Sequence, residues 1–163
     1  QLLFGSGTGN NLHGIYTQAT AYSAPITIAS PTRVDTMRLA MLQAALADVF
    51  ATGHVLHMHD WTAIELLKDT TGAYLFTNPF SPNTPSLWGL PVAETNHAAM
   101  ASKFLTGSFA EAAQIFDRED ANVVISTENA DDFEKNMISV RCEERLALAV
   151  YRPEAFVKGE FPA

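Results

Sequence analysis

The chain has 163 residues, 47% of them apolar, with 18 acidic against 10 basic side chains and a net charge of −8. That apolar share supports one folded domain, or one domain plus part of another, and excludes a disordered chain. Acidity with no two adjacent Lys or Arg excludes a surface built to grip nucleic acid, and a single cysteine excludes an internal disulfide framework.

No apolar stretch reaches the roughly 18 residues of a spanning helix, so no membrane association is expected. The start, Gln1-Leu2-Leu3-Phe4, has neither an initiator methionine nor a basic flank. It reads as the interior of a longer protein rather than a signal peptide. Residues 5–14 hold four glycines and form a loop. They lack the lysine and spacing of a phosphate cradle, so positive-φ turns are the better account. Residues 15–29 suggest short extended pieces.

Thr32, with Asp35 three residues on, predicts a capped helix start. Helical spacing of Val34, Met37, Met41, Ala45 and Val49, joined by Leu39, Leu42, Leu46 and Phe50, predicts a helix over 33–50 with a wide apolar face against a sheet, stopped by Thr52-Gly53. Residues 54–58 read as a strand. A second helix over 60–68 follows, with Asp60 capping its first-turn amides. Residues 73–76 suggest another strand. The segment 77–86, with Asn78, Pro79, Phe80, Pro82 and Pro85, is too proline-rich for a regular element. Long loops of this kind are frequently interfacial, which makes those five residues candidate subunit contacts.

Residues 87–92 read as a turn into a strand, 103–109 as a strand and its turn, and 112–116 as a pairing segment or short helical piece. A strand over 122–127, an acidic turn over 128–134, a long strand over 138–151 and a short extended piece over 154–161 complete the chain. No strand–helix–strand unit recurs regularly, which favours an α+β fold.

His54, His57 and His59 with Asp60 are the only grouping that suggests a metal-dependent hydrolase, and a fourth ligand is missing locally. Polar strand-end histidines are the preferred reading, with no cofactor expected. Glu143 and Glu144 are adjacent in a strand and point apart, so they cannot form a hydrolytic carboxylate pair. Glu144 and Arg145 instead read as salt-bridging residues at a domain or subunit boundary. Cys142 reads as a buried structural thiol.

Several stretches carry a family resemblance. These are Gly5-Ser6-Gly7-Thr8-Gly9 with Leu12 and Gly14, Asp60-Trp61 with Leu66-Leu67-Lys68-Asp69, and Trp88-Gly89-Leu90-Pro91-Val92. The most specific is Asp132-Phe133 and Lys135-Asn136-Met137, continued by Cys142-Glu143-Glu144-Arg145-Leu146-Ala147-Leu148-Ala149 and Tyr151-Arg152-Pro153. This wording resembles the C-terminal part of the major capsid proteins of tailed phages and prophages with the HK97-type fold.

The resemblance implies a mixed sheet with flanking helices and a long strand leading from a peripheral into an axial domain. By similarity, residues 1–121 and 152–163 are axial and 122–151 a partial peripheral domain. The family's N-terminal arm, extended loop and spine helix are absent. It implies a non-enzymatic, self-assembling shell subunit whose partners are copies of itself in pentamers and hexamers, with portal and scaffold proteins. Its expected place is a virion assembled in the bacterial cytoplasm. Asn136 and Glu143 match the asparagine and proton-accepting glutamate of a lysine–asparagine cross-link made by one family member, while a purely structural role is the alternative at these positions. An encapsulin-like nanocompartment shell is the rival within the same fold.

Overall fold

The computed structural model describes residues 1–75, 84–128 and 134–161. It divides into two compact units, residues 1–114 with 150–163, and residues 115–149.

The larger unit is built on a six-stranded mixed sheet. In chain order its elements are α1 (Ile15–Gln18), β1 (Thr20–Ala21), α2 (Arg33–Leu46), β2 (Gly53–His57), α3 (Met58–Glu65), β3 (Ser86–Leu87), β4 (Leu90–Thr95), β5 (Lys103–Gly107) and, after the second unit, β8 (Phe156–Glu160). The strand order is β1-β8-β5-β2-β4-β3. β1 runs parallel to β8 and β2 parallel to β4, while β5 pairs antiparallel with both β2 and β8. Helices and strands alternate without a repeated crossover, so the α+β expectation holds.

Alternation along the strands sorts the core into two layers. Leu56, Phe104 and Val157 face α2 and α3, where they meet Val34, Met37, Ala40, Ala44, Trp61 and Ile64. Val55, Leu105 and Phe156 face the other way, against Leu3, Phe4, Ile15 and Tyr16 of the N-terminal segment. Phe104 and Leu105 are adjacent and both fully buried, because β5 is covered on both faces.

α2 begins as expected. Thr32 accepts from Asp35 N–H while the Asp35 side chain accepts from Thr32 N–H, and those hydrogen bonds from Thr32 hold the Asp35 carboxyl below the usual carboxylate range. The helix ends six residues before Thr52, earlier than expected. Asp48 takes the left-handed conformation at φ 59, Val49 N–H reaches Ala44 O and Asp48 N–H reaches Ala45 O. This is a Schellman stop made without glycine. It turns Val49 inward and leaves Leu46 and Phe50 exposed, so these two do not join the apolar face assigned to them.

α3 starts two residues earlier than the spacing suggested, with His57 rather than Asp60 at its cap; the His57 ring accepts from His59 N–H at 3.1 Å. The expected strand over 73–76 reduces, among described residues, to a single bridge between Lys68 and Tyr74. β3 and β4 form a hairpin whose two turn residues, Trp88 and Gly89, have φ of 54 and 80. Positive φ at both positions is what a two-residue turn needs to match strand twist.

The second unit lies within a two-stranded ribbon of β6 (Ala113–Ser126) and β7 (Ser139–Val150). β6 is nine residues longer at its start than the 122–127 expectation and takes in the ambiguous 112–116 segment from Ala113. Nearly every residue of both strands is exposed or half-buried, including Phe116, Val123, Ile125 and Val140. A lone two-stranded ribbon has no second layer to bury such side chains. Cys142 is accordingly exposed, which corrects the buried-thiol expectation. Among the described residues no helix is long and apolar enough to cross a membrane.

Candidate assembly surface

The histidine group separates into unrelated structural roles. His54 points into the α2 side of the sheet, 1% exposed, with Nδ1 3.0 Å from Thr106 Oγ1. Burial pushes its pKa down to about 4, so the ring is neutral at physiological pH. His57 caps α3, and the His59 side chain is exposed. Asp60 is neither cap nor ligand. It is buried, accepts Arg33 Nη1 at 3.0 Å and Ser102 N–H at 2.8 Å, and so ties α2 and α3 to the start of β5. Among the described residues no three or more His, Cys, Asp or Glu are placed to hold a metal. His54, His57 and Asp60 are engaged instead in a core contact, a helix cap and an interhelix clasp.

The ribbon's charged residues lie at its surface. Arg141 Nε is 3.2 Å from Glu143, and Arg145 Nε is 3.9 Å from Glu119, with all four side chains about half or more exposed. Surface pairs of this kind contribute little stability, typically about 0–1 kcal/mol. Glu144 is exposed on the same strand. Asn136 is exposed with φ 53, a backbone position asparagine tolerates better than most residues.

Of the proline-rich candidates, Asn78, Pro79, Phe80 and Pro82 lie outside the described residues. Pro85 is described, and its carbonyl accepts Val92 N–H at 2.9 Å, extending the β3–β4 hairpin. Sequence reasoning missed the Arg33–Asp60 clasp and the outward display of Leu46, Phe50 and Trp88. Helical spacing alone placed Leu46 and Phe50 inside.

The ribbon is exposed, and single apolar residues such as Leu46, Phe50 and Trp88 stand at the surface of the larger unit. The phage capsid family profile matches residues 1–161. The chain belongs to the phage capsid family. It is similar to the major capsid protein of Enterobacteria phage HK97, with 46% identity over 161 residues, which cover 99% of this chain and 42% of that protein. It therefore spans less than half the length of that relative.

Among solved structures, a capsid chain of an empty GTA particle superposes at a TM-score of 0.68 with 19% identity, over 99% of this chain and 60% of that one. A Mycobacterium phage Ogopogo chain gives 0.72 with 14% identity, over 98% and 59%. At such identities these two likenesses carry the fold alone, and that fold is the HK97-type architecture.

Proposed function

We propose that this chain is the C-terminal region of a major capsid protein, a structural and non-enzymatic subunit that assembles with copies of itself into a closed phage or prophage shell enclosing the genome. The observation that carries this reading is the family match along almost the whole chain together with the 46% identity to a major capsid protein. The physical character fits: one well-cored unit, one ribbon unable to bury itself, and acidic charge unsuited to gripping packaged DNA. On this reading the unit of residues 1–114 and 150–163 corresponds to the axial domain and residues 115–149 to part of the peripheral domain. The second unit starts seven residues earlier and ends two residues earlier than the 122–151 of the sequence expectation. Partners would be other copies in pentamers and hexamers, with portal and scaffold proteins in the full-length setting. The site of action would be the virion, after assembly in the host cytoplasm.

By the family resemblance, Asn136 and Glu143 are also candidates for an inter-subunit lysine–asparagine bond, with a purely structural role at both positions as the alternative. The lysine side chain would attack the Asn136 amide carbon with loss of ammonia, and Glu143 would take the lysine proton. Denaturing gels and mass spectrometry of full-length shells decide this: ladders lost on Asn136→Ala support it, and monomer bands alone overturn it. The shell reading itself is tested by expressing the full-length protein and imaging the product. Closed particles support it, and a protein that stays monomeric under all assembly conditions overturns it.

A further inference from the structure

Among the described residues β1 is the outermost strand on its side of the larger unit's sheet, and it is short. Tyr22 N–H turns inward and donates to Lys158 O of β8 at 2.7 Å, so the neighbouring Ala21 and Ser23 turn their backbone groups outward. Pro25 has no N–H and closes this ladder-forming stretch two residues later. Strand edges are commonly protected by charged side chains. None stands here: residues 14–32 contain no Asp, Glu, Lys, Arg or His, and Ile26 and Ile28 are 56% and 42% exposed.

One side chain meets outward groups of both residues. The Gln43 carboxamide, reaching from α2, donates Nε2–H to Ala21 O at 3.0 Å and accepts Ser23 N–H on Oε1 at 2.8 Å. The two contacts straddle Tyr22. One residue of an added parallel strand would make the same pair, donating to the carbonyl before its partner and accepting from the amide after it. A carboxamide carries the donor and the acceptor of a peptide group, which neither a carboxylate nor an ammonium does. Gln43 is also the only polar side chain between Leu39 and Ala47, so its polarity serves the strand edge rather than the packing of the helix.

We propose that Gln43 is an edge guard: its carboxamide occupies the strand-addition site beside Tyr22 and keeps the uncharged β1 edge from pairing with the β1 edge of a second copy. An open edge presents the same unpaired amides and carbonyls on every copy, and no like charges set two such edges apart. The guard's two hydrogen bonds form within one chain and so hold at any concentration, whereas the pairing they block grows with concentration. The role belongs to the fold of the larger unit and stands whether or not the chain builds a shell.

The test compares the intact chain with Gln43→Ala and Gln43→Asn, each alone and combined with Ser23→Lys. Circular dichroism confirms the fold of each, and Gln43→Asn carries the same test should Gln43→Ala lose its fold. Backbone amide exchange is read residue by residue by NMR in dilute solution, and self-association by sedimentation. Ser23 N–H should exchange about tenfold faster in Gln43→Ala, while Tyr22 N–H, bonded to Lys158 O, keeps its rate. Self-association should strengthen about tenfold, with Ser23 N–H protected again in the associated form. Gln43→Asn, whose carboxamide is drawn back by one methylene, should match Gln43→Ala. Ser23 is exposed, so Ser23→Lys places a charge on the edge and should return association to the parent level. Ser23 exchange at the parent rate in either folded single variant, faster exchange with no gain in association, or association that Ser23→Lys leaves intact each overturn the guard.

Discussion

Removal of the Arg33 guanidinium tests how the helices of the larger unit are held to its sheet. Asp60 is 1% exposed and has two partners, Arg33 Nη1 at 3.0 Å and Ser102 N–H at 2.8 Å. Arg33→Ala leaves a buried carboxylate with one backbone donor and no counter-charge, a loss that costs about 3–5 kcal/mol. Asp60→Ala removes the charge itself. Arg33, whose side chain is 31% exposed, then turns to water, and the main loss is the acceptor for Ser102 N–H, about 1–3 kcal/mol. The double variant loses the Ser102 acceptor and the stacking of Arg33 on Phe161, but strands no charge. It should therefore be more stable than the sum of the single losses predicts, by about 2 kcal/mol. Urea unfolding of the four proteins at neutral pH, with unchanged denaturant slope, measures this. Additive losses, or an Arg33→Ala cost below about 1 kcal/mol, refute the assignment of Arg33 as the counter-charge.

The start of α2 and the whole of β5 were legible because their signals are local. Thr32 and Asp35 are three residues apart, and Lys103–Gly107 is a short apolar run bounded by a turn. The family was legible from contiguous wording around Cys142–Ala149 and is borne out by the match along the chain. The end of α2 was not legible, because Asp48 takes a left-handed conformation usually left to glycine, and nothing in the local pattern announces it. Asp60 was misassigned for a different reason. Its partners stand 27 and 42 positions away, so its local position as a plausible cap was the only visible signal. β6 looked short because Asp117-Arg118-Glu119-Asp120 has no apolar alternation; a ribbon with no covering layer imposes none. Cys142 was placed inside for the same missing reason, since its apolar neighbours have no second layer to turn toward.

Further outcomes follow from single positions. Gly107→Ala should cost about 1–3 kcal/mol in the same unfolding assay, because a Cβ there would meet Ala155 O and Phe156 Cδ1, both at 2.5 Å; an unchanged midpoint would show that β8 can shift. Cys142 should react with a colorimetric disulfide reagent in the native chain nearly as fast as in urea, and protection would mean that the ribbon is covered in solution. His54 sets a pH dependence whose sign is fixed by burial. Its folded pKa is lowered to about 4, below the ordinary 6.5, so the unfolded chain binds this proton more readily than the folded one. Stability from this group is complete above pH 6.5 and is lost progressively as pH falls toward 4, by about 3 kcal/mol in all. Asp35 and Asp69, whose carboxyls are held below the usual range by hydrogen bonds from Thr32 and Thr71, lose their contributions at lower pH than this window. His54→Leu should therefore flatten the slope of stability between pH 6.5 and 4 while leaving the acid limb below it. An identical slope in the variant would place the proton uptake elsewhere, whatever the variant's absolute stability, because only the slope counts protons.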